Sequence, residues 1–313
     1  MSTLVIGATG FIGPRLIRRL IARGEPVVGM DLNPAAAAFG DVPIGAPVLR
    51  GDVTRFEDVM RTILDVKPER VINLAYGLGA GEGNPHQVMR LDILGMDNCF
   101  EACRLAGIKR VVYASSIAVS GQQSHFGDRL VNEDDPVHGT SQYAMHKIFN
   151  EFQARKYIKT YGMSIVGVRP ANVTGPDKVR GSVDHVQIMT EAARGKPVHL
   201  PHKGMMRLLV HVEDMAEIFA RVLLAETPRH SLYNSGGIPV SLGALADMVK
   251  GFLPDAKITF GNEGGKELSG NYLVDNSRLG QEFGIEFPGL HTRVLETIND
   301  VRRSEGLPLV PGR

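Results

Sequence analysis

A chain of 313 residues is long enough for one large α/β core, or for a core plus a lobe, since single cores stop growing at about 250 to 300 residues. Its 43% hydrophobic and 22% charged residues and mean hydropathy of -0.04 exclude a disordered or fibrous protein. A net charge of +1 with no long Lys/Arg block argues against a nucleic-acid partner and for a small-molecule substrate.

Short apolar runs alternate with amphipathic ones through the first half. Thr3 to Ile6, Val27 to Met30, Pro47 to Leu49, Val71 to Leu74, Arg110 to Ala114 and Ile165 to Val168 read as buried strands, with helices between them. This rhythm predicts an α/β fold: a Rossmann-like, doubly wound parallel sheet covered on both faces, with its chemistry beyond the carboxyl ends of the strands. After Pro170 the pattern loosens into helices at about 184–194, 214–225, 242–252 and 290–303. The expected organisation is therefore a cofactor domain over 1–172 and a smaller C-terminal substrate-binding lobe over 173–313, some segments of which return to the first domain.

Met1 to Ile6 run directly into a glycine turn, which leaves no apolar region of a signal peptide. No run reaches the roughly 18 residues of a membrane span. Cys99 and Cys103 lie four apart in a helical pattern and read as small buried residues, not metal ligands or a disulfide. The expectation is a protein without a membrane partner, in the reducing cytoplasm.

The first strand ends in Gly7-Ala8-Thr9-Gly10-Phe11-Ile12-Gly13, and a helix follows from Pro14 to Arg23. Such glycines allow a tight turn, close approach to a pyrophosphate and close helix-to-strand packing, while the helix N-terminus offers N–H donors. Asp31 ends the next strand, 18 residues beyond Gly13. A carboxylate there accepts hydrogen bonds from ribose hydroxyls and repels a 2′-phosphate, which favours NAD over NADP; the competing reading is a turn residue before Asn33-Pro34. Arg15, Arg18, Arg19 and Arg23 on the following helix read as a solvated face.

Tyr143 and Lys147 are one helical turn apart in the stretch opened by Thr140-Ser141. A lysine cation beside a phenol lowers its pKa and suits proton exchange with a substrate hydroxyl while hydride moves to or from nicotinamide. Ser115-Ser116 close the strand from Arg110, and Ser116 is the candidate for orienting the substrate oxygen, with Ser115 bonded to backbone. The catalytic set is thus Ser116, Tyr143 and Lys147, with no metal.

With these residues in view, the sequence resembles the extended short-chain dehydrogenases/reductases, specifically the NAD-dependent epimerase/dehydratase family. The resemblance rests on Gly7 to Gly13, Asp52-Val53, Asn73-Leu74-Ala75, Ser115-Ser116, Tyr143 with Lys147, Arg169 to Pro176, and Arg207 followed by Val210 to Asp214. It implies that Gly7, Gly10, Phe11, Ile12, Gly13, Asp31, Asp52, Val53, Leu74, Ala75, Tyr143, Lys147, Pro170 and Val173 contact NAD. It also implies that Gly77, Ser116, Asn172 and Arg207 face the substrate. His211 reads as a packing residue and Asp214 as a helix N-cap.

Departures from the family pattern narrow the chemistry. Ile117 and Ala118 stand where sugar-nucleotide dehydratases carry an Asp-Glu pair, which argues against elimination of water. Gly264 to Leu268 replaces an Arg-containing segment that grips diphosphate, leaving only Lys266. Asp92 stands where the family commonly has asparagine, and Leu208-Leu209 replaces Asp-Phe. Gly77 to Pro85 is glycine-rich and reads either as a segment closing over substrate or as a plain connection. Similarity to short-chain-type L-threonine 3-dehydrogenases favours a dehydrogenase acting on a sugar or sugar-like hydroxyl compound. The alternatives are a nucleotide-sugar epimerase with permanently bound NAD and a non-enzymatic dinucleotide sensor. Apolar Leu91, Leu94, Phe100, Ile148, Phe149 and Phe152 on two helices suggest a homodimer, as the resemblance also implies.

Overall fold

A computed structural model describes residues 2–36, 38–39, 42–77, 84–108 and 110–312. Most of the glycine-rich segment after Gly77 therefore lies outside the described residues. The first half runs β1 (Thr3–Ile6), α1 (Gly13–Ala22), β2 (Val27–Asp31), the short pair β3 (Ala38–Phe39) and β4 (Val42–Pro43), β5 (Val48–Arg50), α2 (Phe56–Val66) and β6 (Arg70–Asn73). It continues through α3 (Pro85–Met89), a π turn (Arg90–Leu94), α4 (Gly95–Leu105), β7 (Arg110–Ala114), α5 (Gln142–Tyr161) and β8 (Ser164–Arg169). The remainder is β9 (Asn172–Thr174), α6 (Asp184–Ala193), β10 (Val198–His202), β11 (Met206–His211), α7 (Val212–Leu224), β12 (Leu232–Asn234), β13 (Ile238–Ser241), α8 (Leu242–Phe252), β14 (Ile258–Asn262), α9 (Ser277–Phe283) and α10 (Leu290–Ser304).

Seven strands form one sheet in the order β12-β8-β7-β6-β1-β2-β5, with every pairing parallel. Strand order reverses direction at β1 and β6, the switch point where a doubly wound sheet opens its ligand crevice. Register places Ile6 beside both Met30 and Asn73, so β1, β2 and β6 end together. Two-sided cover explains the strand composition: Leu4, Val5, Ile6, Val71, Ile72, Val111 and Val112 are all buried. Smaller sheets, β13-β11-β9 and β10-β14, lie apart from it. β12 leaves them and returns to pair with β8.

The fold departs from the sequence pattern at two places. The arginines of α1 are not a solvated face, because α7 packs along them and meets them with carboxylates. Arg15, buried, pairs with Asp177 at 2.7 Å and Glu213 at 3.2 Å; Arg19 reaches Glu213 and Glu217, and Arg23 reaches Glu217. Asp214 is not a helix cap: β11 runs straight into α7, so His211 is the N-cap, its Nδ1 accepting from the Glu213 N–H at 3.3 Å. Asp214 sits in the first turn, buried, and pairs with Arg293. Both cysteines are buried and unpaired. Among the described residues no helix is long and apolar enough to cross a membrane.

Candidate active site

The glycine turn closes on the end of β6. Gly7 has φ +81°, and a Cβ there would lie 2.7 Å from the Ala75 nitrogen; at Gly13 it would lie 2.4 Å from the Gly7 oxygen. Side chains are excluded at both positions by backbone. At Gly10 the nearest atom is 3.3 Å away, and this exposed residue is the one where the turn faces outward. The N-terminus of α1 has no side-chain cap, so its first N–H groups are those that a pyrophosphate would meet. Phe11 and Ile12 are half-buried, and the Phe11 ring lies 3.0 Å from the Cβ position of Gly175, which brings the segment after β9 against the turn.

Asp31, at the end of β2, accepts from the Thr9 N–H at 3.1 Å through one oxygen and from the Asn33 N–H at 3.2 Å through the other. These bonds aim the carboxylate along the crevice edge. The turn-shaping reading of this residue is what these two bonds show. The residues present fit a dinucleotide. Asp52 accepts from the Thr54 N–H at 2.9 Å, and the Val53 carbonyl accepts from Asn98 at 2.8 Å, so this pair is held firmly beside α4. Leu74 and Ala75 follow β6, with the Ala75 N–H bonded to Asn73 at 2.9 Å.

Ser141 caps α5 by accepting from the Ala144 N–H, and the helix then presents Tyr143 and Lys147 towards the end of β7. Lys147 is buried; its Nζ donates to the Ala114 carbonyl at 2.6 Å and lies 3.6 Å from the centroid of the Tyr76 ring. The Tyr76 ring stands edge-on to Tyr143, with centroids 4.9 Å apart. Burial pushes the Lys147 ammonium down to about 7, against the upward pull of Asp92 and Glu151. Loss of water around the Tyr143 hydroxyl on burial pushes its phenol up to about 12, with a hydrogen bond to Ser116 acting the other way and the Asp92 charge adding to the rise. The expected lowering of this phenol by Lys147 is thus overridden in the chain alone: the ammonium faces Tyr76 and Ala114, 5.8 Å from the Tyr143 ring centroid, and burial dominates.

The two serines separate cleanly. Ser115 donates to Glu151 at 2.6 Å, not to backbone as expected, and Glu151 holds Arg169 through two bonds of 2.8 Å. Ser116 caps the 3-10 turn over Ile117–Ser120 and is the serine associated with Tyr143. Pro170 follows β8, its carbonyl accepting from the Ile117 N–H at 3.1 Å, which brings it beside Ser116.

On the far side, β9 and β11 pair with Asn172 opposite Leu209. Asn172 accepts from the Leu208 N–H at 3.1 Å, and the Val173 carbonyl takes Lys178 at 2.8 Å and His185 at 3.3 Å. Arg207 is no free cation: its Nε meets Asp184 at 3.1 Å and its Nη2 grips the other carboxylate oxygen. Burial acts upward on Asp184, yet bonds from His185 and Arg207 hold it well below the usual carboxylate range. Burial pushes the neighbouring Lys178 down to about 8. Lys266, the one cation of the 264–268 stretch, opens an exposed 3-10 turn.

Sequence reasoning missed Tyr76, His146 and Asp184. Tyr76 had a signal in its place just past the end of β6, at the crevice. Asp92 shows in the sequence only as a departure from the family's asparagine. It is buried in the π turn, and its carboxylate accepts from the Gly77 N–H at 3.0 Å and meets His146 Nδ1 at 3.2 Å.

Residues 3–236 match the NAD dependent epimerase/dehydratase family. A UDP-glucose 4-epimerase of Mycolicibacterium smegmatis is 31% identical over 236 residues, 71% of this chain and 72% of that relative. The structure of the Thermus thermophilus UDP-glucose 4-epimerase in complex with NAD superposes with a TM-score of 0.84 at 26% identity, covering 96% of this chain and 99% of that one. A GalE-like L-threonine dehydrogenase from Cupriavidus necator has the same fold, with a TM-score of 0.83 at 20% identity, covering 96% of this chain and all of that one. The chain is an NAD-dependent enzyme of the extended short-chain dehydrogenase/reductase type and belongs to the NAD-dependent epimerase/dehydratase family.

Proposed function

We propose that the protein is a dehydrogenase that interconverts a secondary alcohol and a ketone on a sugar-like or other small hydroxylated substrate, with Tyr143 as acid and base. The convergence of Ser116, Tyr143 and Lys147 at the carboxyl end of β7, beside the crevice at β1 and β6, carries this reading. Bound NAD supplies the hydride acceptor. Ser116 orients the substrate oxygen, and Tyr143 takes its proton as the carbonyl forms or returns it in the reverse direction. Lys147 stands one helical turn behind, where its ammonium favours the phenolate and meets the nicotinamide ribose. Gly7 to Gly13 with the start of α1 hold the pyrophosphate, Asp31 the adenosine ribose, Asp52 and Val53 the adenine, and Leu74, Ala75, Pro170 and Val173 line the rest of the cofactor's path.

The Arg207–Asp184 pair favours a dehydrogenase of small substrates over a nucleotide-sugar epimerase. An arginine already satisfied by a carboxylate has little charge to offer a diphosphate. Residues from 173 onward form the substrate side of the cleft, with Gly77 and Asn172 at its margin. The faces of α3–α4 and α5 that carry Leu94, Phe149 and Phe152, 40%, 39% and 46% exposed, are proposed as a homodimer surface; Phe100 lies in the monomer core instead. Light scattering at micromolar concentration reads the mass directly, and a monomer refutes the dimer.

A panel of sugar acids, polyols, hydroxy amino acids and sugar nucleotides, scored for NADH release and for epimer formation, tests the activity. NADH release with a substrate lacking a nucleotide is the expected result. Turnover confined to sugar nucleotides, giving epimers without NADH release, would mean an epimerase.

A further inference from the structure

Asp92 is the buried carboxylate of a helical stretch that, Asn98 apart, turns apolar and small residues inward. A π turn widens the helix over Arg90–Leu94, a feature often found at functional sites. Its two oxygens are fixed separately, one by the Gly77 N–H and one by His146, while its carbonyl accepts from Asn150 at 2.9 Å. Both carboxylate bonds tie it to the lysine's seat: Gly77 directly follows Tyr76, whose ring lies against the Lys147 ammonium, and His146 directly precedes Lys147 on α5. The titratable groups that face it are Tyr76 from the segment after β6, and Tyr143, His146 and Lys147 from α5, while Glu151 acts on Lys147. Of the two carboxylates that act on Lys147, Glu151 is already neutralised by its two-pronged pair with buried Arg169. Neither the Gly77 N–H nor His146 brings the permanent positive charge of an arginine or a lysine to the Asp92 carboxylate.

We propose that Asp92 is a positioning residue for the catalytic centre, the counter-charge of Lys147, held in place by His146 and the Gly77 N–H. The inference rests on the placement of Lys147 at the NAD site argued above. The ammonium is seated between the Ala114 carbonyl and the Tyr76 ring, neither of which bears a formal charge at neutral pH. A fixed negative charge nearby is then what keeps a buried lysine from losing its proton at still lower pH. Asparagine at position 92 would preserve shape and an acceptor for the Gly77 N–H while removing that charge.

NADH affinity, followed by fluorescence from about pH 6 to about pH 9, reads the lysine without needing a substrate. Affinity is expected to fall as Lys147 loses its proton. Asp92→Asn should move the midpoint of that fall down by about one pH unit or more, and Asp92→Glu, which keeps the charge, should leave it near the wild-type value. In a Lys147→Met background Asp92→Asn should cause no further shift. An Asp92→Asn midpoint equal to wild type, or an equal shift in the Lys147→Met background, overturns the inference. If Lys147→Met binds NADH with the wild-type pH dependence, the placement of Lys147 at the cofactor fails first. A silent Asp92→Asn beside a responsive Lys147→Met overturns the counter-charge alone. Should Asp92→Asn be unfolded by circular dichroism, Asp92→Glu still tests the idea, because a midpoint displaced by a unit or more despite the retained charge refutes it.

Discussion

Replacing Lys147 by methionine should flatten part of the pH dependence of stability in the cofactor-free protein. Lys147 is 1% exposed, and burial pushes its ammonium from 10.5 down to about 7. Because the folded-state value is lowered for a basic group, the unfolded chain holds more protons between the two values, so stability rises with pH across that window. The destabilisation is fully present below pH 7 and disappears towards pH 10.5. At 1.36 kcal/mol per pH unit, the full span corresponds to about 5 kcal/mol, and the portion between pH 7 and 9 to roughly 2 kcal/mol, since the lysine is already half-deprotonated at its start. Urea unfolding at pH 7, 8 and 9 at constant ionic strength is the assay. With a slope of about 3 kcal/mol per molar for a chain of this size, the wild-type midpoint should gain ~0.7 M relative to Lys147→Met over that range. Titrating groups remote from Lys147 are common to both proteins and cancel in the difference. Parallel curves for the two proteins would show that the lysine is not held as a strained buried cation, and would refute the electrostatic account of the site.

Tyr143→Phe should leave NADH affinity within a few-fold of wild type and reduce turnover by about a hundredfold or more once a substrate is found; unchanged turnover removes the acid–base role. Glu151→Ala strips the partner from buried Arg169 and from Ser115, and chemical denaturation should show a loss of about 3–5 kcal/mol, whereas a loss below about 1 kcal/mol would mean that the pair is readily solvated. Gly13→Ala drives a Cβ to 2.4 Å from the Gly7 oxygen and should cost about 1–3 kcal/mol in melting experiments. Gly10→Ala, with its nearest neighbour at 3.3 Å, should melt near wild type yet bind NADH more weakly; the reverse pattern would misplace the pyrophosphate.

The sheet and the glycine turn were legible because each is written locally. Strands buried on both faces require unbroken apolar runs, and a turn whose Cβ positions are filled by its own backbone requires glycine. Tyr143 and Lys147 were legible for the same reason, since helical spacing alone puts them on one face. Charge partners were not legible, because nothing in a periodic pattern states which distant element will lie opposite. The arginines of α1 find carboxylates on α7 almost 200 residues later, and Asp92 finds His146 at a separation of 54. The cost of leaving a buried charge unpaired makes such partners obligatory in the folded chain, even though either half alone reads as surface. Arg207 shows why this matters for specificity. On its own strand it is the residue through which the resemblance implies substrate contact, yet Asp184, 23 positions upstream, has already taken its guanidinium. The motif names the arginine but not the carboxylate that pairs with it. Two chains with the same arginine can therefore differ in the charge they leave free, and the difference becomes visible only when Asp184 at the start of α6 is seen beside Arg207 on β11.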